Sequence, residues 1–115
     1  MVNDSLWGYP DNSLAAIAIA SSGTGNLNIP ANFGVLEGAN FVYCMITMRC
    51  NVSTGSFALH PSASTGLTYM ELSAHGDTVK SQLHGIMPLD STGGLYYTIS
   101  DTAESATLSV FAWMV

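Results

Sequence analysis

Positive charge is almost missing from this chain of 115 residues: Arg49 and Lys80 are its only fixed cations, set against eight acidic side chains for a formal net charge of −6. Nucleic-acid affinity is built mostly from phosphate neutralisation by Lys and Arg, and two such groups are too few to supply it. The same shortage argues against docking on anionic membranes. Charge of either sign is scarce, at 9% of residues, where about 25% is usual in a soluble domain. So uncharged a surface must be covered by Ser, Thr, Asn and Gly or be buried against neighbours, and it offers little electrostatic protection against self-association. An obligate oligomer or lattice component is the expected state.

Other absences narrow the chemistry. The longest uncharged apolar run, Ser13 to Ala20 with its flanks, is too short to span a bilayer and lacks the basic start of a secretory signal. A soluble chain made in the cytoplasm is expected. The two cysteines, Cys44 and Cys50, lie in one extended segment, which would hold their Cα atoms ~20 Å apart. A disulfide needs about 4.4–6.8 Å. They read as two buried thiols on one strand face, and their spacing matches no CxxC redox or zinc motif.

No GxSxG elbow is present, and Gly23-Thr24-Gly25 lacks the Lys and helix of a phosphate loop. Glu71 is a lone acid on a strand, while Asp101 and Glu104 sit in a turn where acids are routine. His75-Gly76-Asp77 pairs a His with a carboxylate, too few ligands for a metal, and reads as a polar turn. His60 precedes Pro61 and reads as the start of a loop. His84, beside Gly85, reads as a buried hydrogen-bonded imidazole or an interface group. Asn51-Val52-Ser53 matches a glycosylation triplet that arises often by chance. Neither catalysis nor a cofactor or metal is expected.

What the sequence has is strand rhythm. Gly, Asn, Ser, Thr and Pro interrupt it every eight to twelve residues or so, as in an all-β sandwich or barrel. Residues 1–12 read as an N-terminal arm or loop, and residues 13–115 as one domain. Strands are expected at Leu14–Ala20 (where the alternation of Ile17 and Ile19 favours a strand over a short helix), Asn26–Ile29 (ended by Pro30), Phe33–Leu36, Phe41–Cys50, Ser56–Leu59, Leu67–Ala74, Thr78–Met87, Leu95–Ile99 and Ala106–Val115. About eight antiparallel strands in a chain of this length fit a jelly-roll sandwich.

Two of these strands have apolar groups on both faces. Val42, Cys44, Ile46, Met48 and Cys50 make an unbroken core-facing side, opposite Phe41, Tyr43 and Met45. In Ala106–Val115, strict alternation sets Leu108, Val110, Ala112 and Met114 against Phe111, Trp113 and Val115. A strand that is bulky on both faces needs cover on each. Trp7, Tyr9, Tyr43, Tyr96, Tyr97, Phe111 and Trp113 are therefore the candidate interface residues, since Tyr and Trp anchor protein contacts. Trp7, Tyr9, Tyr96, Tyr97 and Trp113 would equally suit a sugar-binding face.

The segment from Thr78 to Val115 resembles a recurring C-terminal pattern of small bacteriophage virion proteins. A strand ends in a Pro88-Leu89-Asp90 turn, a Tyr-rich strand follows (Leu95, Tyr96, Tyr97, Thr98, Ile99), and after a polar turn a final apolar strand carries Trp113. The layout is similar to the last strands of the jelly roll shared by the tumour-necrosis-factor and complement globular-head families, which are typically trimers. The resemblance implies a virion structural protein: a capsid decoration protein, a head fibre or a tail accessory. With no fibre repeat, a compact decoration knob suits it best, partnered by itself as a homotrimer and by the major capsid or other virion proteins. The alternative, which rests on the aromatic residues, is a receptor- or carbohydrate-binding head of a tail fibre or lectin-like module.

Overall fold

The computed structural model describes residues 7–10, 16–18, 23–60, 68–77, 79–100 and 105–115. Along these run β1 (Trp7–Gly8), β2 (Ala16–Ala18), β3 (Gly23–Asn28), helix α1 (Ile29–Phe33), β4 (Phe41–Arg49), β5 (Ser56–His60), β6 (Met70–Ser73), β7 (Lys80–Pro88), β8 (Gly94–Ser100) and β9 (Ser105–Met114). Most of the expected N-terminal arm, the flanks of the Leu14–Ala20 strand, Pro61, Leu67, Thr78, Asp101 and Glu104 lie outside the described residues.

One sheet runs β1–β9–β4–β7, with β2 also on β9, and the other runs β3–β8–β5–β6. The pairing is antiparallel and nested: β5 with β6, β4 with β7, β3 with β8, β2 with β9. Each pair encloses the one before it, so the chain is a folded-over ribbon. Rolling that ribbon brings β4 against β9 and β5 against β8. This is the jelly roll expected from the strand rhythm, with the two-residue β1 added to eight principal strands.

The core lies where the inward residues of the two sheets meet. Val42, Cys44, Ile46, Met48 and Cys50 are all buried, as their alternation requires. Phe57, Leu59, Leu72, Leu95 and Ile99 face them from the second sheet, and Leu108 and Val110 flank them on β9. Each such side chain contributes about 1.5–3 kcal/mol by leaving water. Every buried polar side-chain atom among the described residues has a hydrogen-bond partner.

Two expected strand pieces are corrected. Asn26–Ile29 and Phe33–Leu36 give way to a strand ending at Asn28 and a single helical turn. Asn28 caps that turn, its Oδ1 accepting from the Ala31 amide at 3.0 Å, and Pro30 sits in the first turn, where its missing N–H costs nothing. Gly34, at φ 68°, closes it by donating to the Pro30 carbonyl. Ile29 and Phe33, one turn apart, then both reach the core. His60 is likewise not a loop start: it ends β5 as a buried imidazole, with Nε2 3.0 Å from the Thr98 hydroxyl. His75-Gly76-Asp77 is a turn, with positive φ at Gly76 and Asp77.

Cys44 in β4 and Cys50 just after it are both buried and form no disulfide. Burial disfavours the thiolate of Cys44 and pushes its pKa from 9.0 to about 12. Folding therefore holds a proton on Cys44 that the unfolded chain releases above about pH 9, so this thiol's contribution to stability declines as pH rises. Compared with Cys44→Ala, the wild type should lose stability more steeply between about pH 9 and 12, by up to about 1.4 kcal/mol per pH unit. Denaturant melts of the two proteins across that range test it. Parallel slopes would show that the folded thiol titrates normally.

Candidate interaction face and end cleft

The outward surface of the first sheet is decided by an irregularity in β9. Across from Cys44 and Tyr43, β9 supplies Val110 and Ala112 as partners and leaves Phe111 between them without one. This β-bulge interrupts the alternation of the strand. Leu108 and Val110 point into the core, Phe111 and Ala112 both point out, and Trp113, opposite buried Val42, turns inward again. The expected faces of Ala106–Val115 are corrected accordingly: Trp113 leaves the company of Phe111, and Ala112 and Met114 leave that of Leu108.

Register then orders the outward face in rows. Trp7, Met114, Phe41 and Pro88 form the first row, and Ala112, Tyr43 and Ile86 the second. Ser109, Met45 and His84 follow, then Thr107, Thr47 and Gln82. The last row holds Ser105, Arg49 and Lys80, so both cations of the chain are cross-strand neighbours at one end. Neither has an ion-pair partner among the described residues. The face is thus graded from aromatic and aliphatic to hydroxyl-bearing to cationic.

Its apolar end is well exposed: Trp7 at 46%, Ile86 at 50% and Phe41 at 36%. Phe111 meets Tyr43 edge-on, with centroids 5.6 Å apart, and Tyr43 stacks on His84 at 5.7 Å. The Tyr43 hydroxyl and His84 Nδ1 are also hydrogen-bonded at 2.9 Å. Such ring pairs add about 0.5–1.5 kcal/mol each and hold the cluster in one arrangement. His84 is therefore exposed and part of this face rather than buried. Below it, the hydroxyls of Thr47 and Thr107 bond across the strands.

A second feature lies at the end of the sandwich where β3 crosses to β4. A cleft of about 630 Å³ is lined by Tyr9, Asn28, Pro30, Ala31, Gly34, Val35, Leu36, Glu37 and Trp113. Trp113 is half-buried and packs on the core. Its ring occupies the space where a Cβ on Gly8 would sit, 2.1 Å from the nearest ring carbon, so only glycine fits beneath it. Tyr9 follows at once and is 80% exposed.

The expected interface residues therefore separate. Trp7, Tyr43 and Phe111 share the outward face, and Tyr9 and Trp113 share the cleft. Tyr96 sits on the outer side of the second sheet beside His60. Tyr97 is a correction: it points inward, 9% exposed, as part of the core, with its ring over Gly25. Ile86, Met114, Leu36 and Glu37 were not singled out by sequence. Ile86-His84-Gln82 does show the period-two spacing that would have placed Ile86.

Because Gly8 and Trp113 are cross-strand partners in contact, Gly8→Ala should push the indole off its seat. Overpacking of this kind costs about 1–3 kcal/mol. In a Trp7→Phe background, the emission of Trp113 should also shift to the red. Thermal melts and fluorescence read both effects, and an unchanged spectrum would mean that Trp113 rests elsewhere.

No family model matches the chain, and no curated protein does. Solved structures with a similar outline include a pre-peptidase C-terminal domain of a collagenase from Bacillus anthracis (12% identity, 85% of this chain and 87% of that chain, TM-score 0.44). Eiger TNF from S. frugiperda is similar at 12% identity over 87% of this chain and 91% of that one, with a TM-score of 0.40. The Tobacco streak virus coat protein is 10% identical over 94% and 89%, with a TM-score of 0.42. Likenesses this faint carry nothing about function.

Proposed function

We propose that this jelly roll is a non-enzymatic structural subunit of a phage particle, a capsid decoration protein that assembles with sister copies, as a trimer, through the outward face of β9, β4 and β7. One observation carries the reading: Trp7, Phe41, Tyr43, Ile86, Phe111 and Met114 lie together on one outward face at successive register positions. In a chain with so few charges, an apolar face of this kind is costly to leave in water. The trimer and the virion setting draw their support from the resemblance of the C-terminal strands. Self-association would be driven by apolar burial at about 25 cal/mol per Å² and little by ion pairs.

Light scattering of the purified chain should give a mass above one subunit that survives moderate salt. Ile86→Glu would place a carboxylate at the β7 end of the second apolar row and should weaken association at least about thirtyfold, or about 2 kcal/mol, with an unchanged circular dichroism spectrum. A stable single copy at high concentration, or an oligomer that salt dissolves, would overturn the reading. Mass spectrometry of purified particles tests the virion setting.

A further inference from the structure

We infer that the cleft between Tyr9, Trp113, Leu36 and Glu37 is a binding site for a neutral sugar. It is separate from the outward face, and it stands whether or not that face mediates assembly. At about 630 Å³ the cleft falls within the range of small-molecule sites and has room for one or two pyranose rings.

The lining is divided in the way a pyranose is divided. Sugars present C–H groups on one side and a rim of hydroxyls around it. Trp113, Tyr9, Pro30 and Leu36 supply apolar surface, and Glu37 and Asn28 supply polar groups. The Asn28 Oδ1 is committed to the Ala31 amide, which leaves its side-chain N–H groups to donate. The Glu37 carboxylate, exposed and without a partner among the described residues, accepts from paired hydroxyls.

Support for the rings comes from below. Gly8 leaves the space that the Trp113 ring fills against the core, and buried Pro10 anchors the backbone just after Tyr9. Tyr9 thus projects from a fixed base while remaining 80% exposed. Among the described residues no other ring stacks on it. With the backbone on either side of Tyr9 held in this way, ordering it over a ligand costs side-chain freedom and little backbone freedom.

Charge selects among ligands. No cation among the described residues lines the cleft, and Arg49 and Lys80 sit at the far ends of β4 and β7. With Glu37 in the wall and a net charge of −6, phosphorylated, sulfated and acidic sugars are repelled. A compact quaternary ammonium would need ring faces converging within about 6 Å of one point. The lining is instead spread over the residue after β1, the end of β3, α1, the loop after it and β9.

The test uses the full chain carrying Trp7→Phe, which leaves Trp113 as the reporting indole. Titration with maltose, cellobiose, lactose and diacetylchitobiose should give a saturable emission change for at least one, with a Kd of about 1 mM or below. Tyr9→Ala and Glu37→Gln, both at exposed positions, should each weaken that binding at least about tenfold. Choline and glucose 6-phosphate should give none. Light scattering of the same variants should show an unchanged mass, which keeps this result apart from that of the outward face. The inference is overturned if no neutral disaccharide saturates, if both substitutions leave the affinity intact, or if choline or glucose 6-phosphate binds in their place.

Discussion

The antiparallel contact between β4 and β9 organises the molecule. β4 contributes an inward face with no polar interruption, from Val42 to Met48. β9 matches it with Leu108 and Val110 and then departs from alternation at Phe111. Two side chains of opposite destination follow from that one extra residue. Phe111 is delivered to the outside, against Tyr43, and Trp113 is returned to the inside, over Gly8. A bulge changes which face a residue serves without breaking the sheet, because hydrogen bonding resumes in register on either side. In this chain it lets one strand build both an exposed aromatic cluster and the floor of a cleft.

Polar chemistry elsewhere in the molecule is committed to structure. The Asp90 carboxylate accepts from the Thr92 amide and hydroxyl and from the Gly94 amide, fixing the turn between β7 and β8. His60 is bonded to Thr98, and the hydroxyls of Ser56 and Ser100 bond to each other across β5 and β8. Hydrogen bonds spent in this way hold register and leave recognition to surfaces. The two surfaces differ in kind. The face of β9, β4 and β7 is broad and graded, with its apolar end remote from the only two cations. The cleft is concave, acidic and aromatic. A broad apolar face suits a protein partner, and a small divided concavity suits a small ligand.

Much of the fold was legible because strand periodicity is a local property. The run from Phe41 to Cys50 declares its inward side residue by residue, and the turn residues between runs mark where each strand stops. The helix was missed because one short turn leaves no periodic trace; its signals are single residues, Asn28 as cap, Pro30 in the first turn and Gly34 at the end. The aromatic candidates were identifiable by type, but their grouping was not. Tyr97 and Tyr96 are adjacent in sequence and point to opposite sides of a sheet, so one is core and the other surface.

The amino-acid sequence alone therefore determined the class of the molecule: an all-β sandwich, poor in charge, with buried cysteines and apolar groups on both faces of some strands. Those follow from composition and from a period of two along each strand. Which residues share a surface was decided only when the ribbon rolled up. Nested pairing brings Tyr43, His84 and Phe111 together from three strands, and Tyr9, Glu37 and Trp113 together from both ends of the chain and its middle. The position of the bulge depends on how β9 fits between β4 and the core, an energy of packing that no residue of β9 carries by itself.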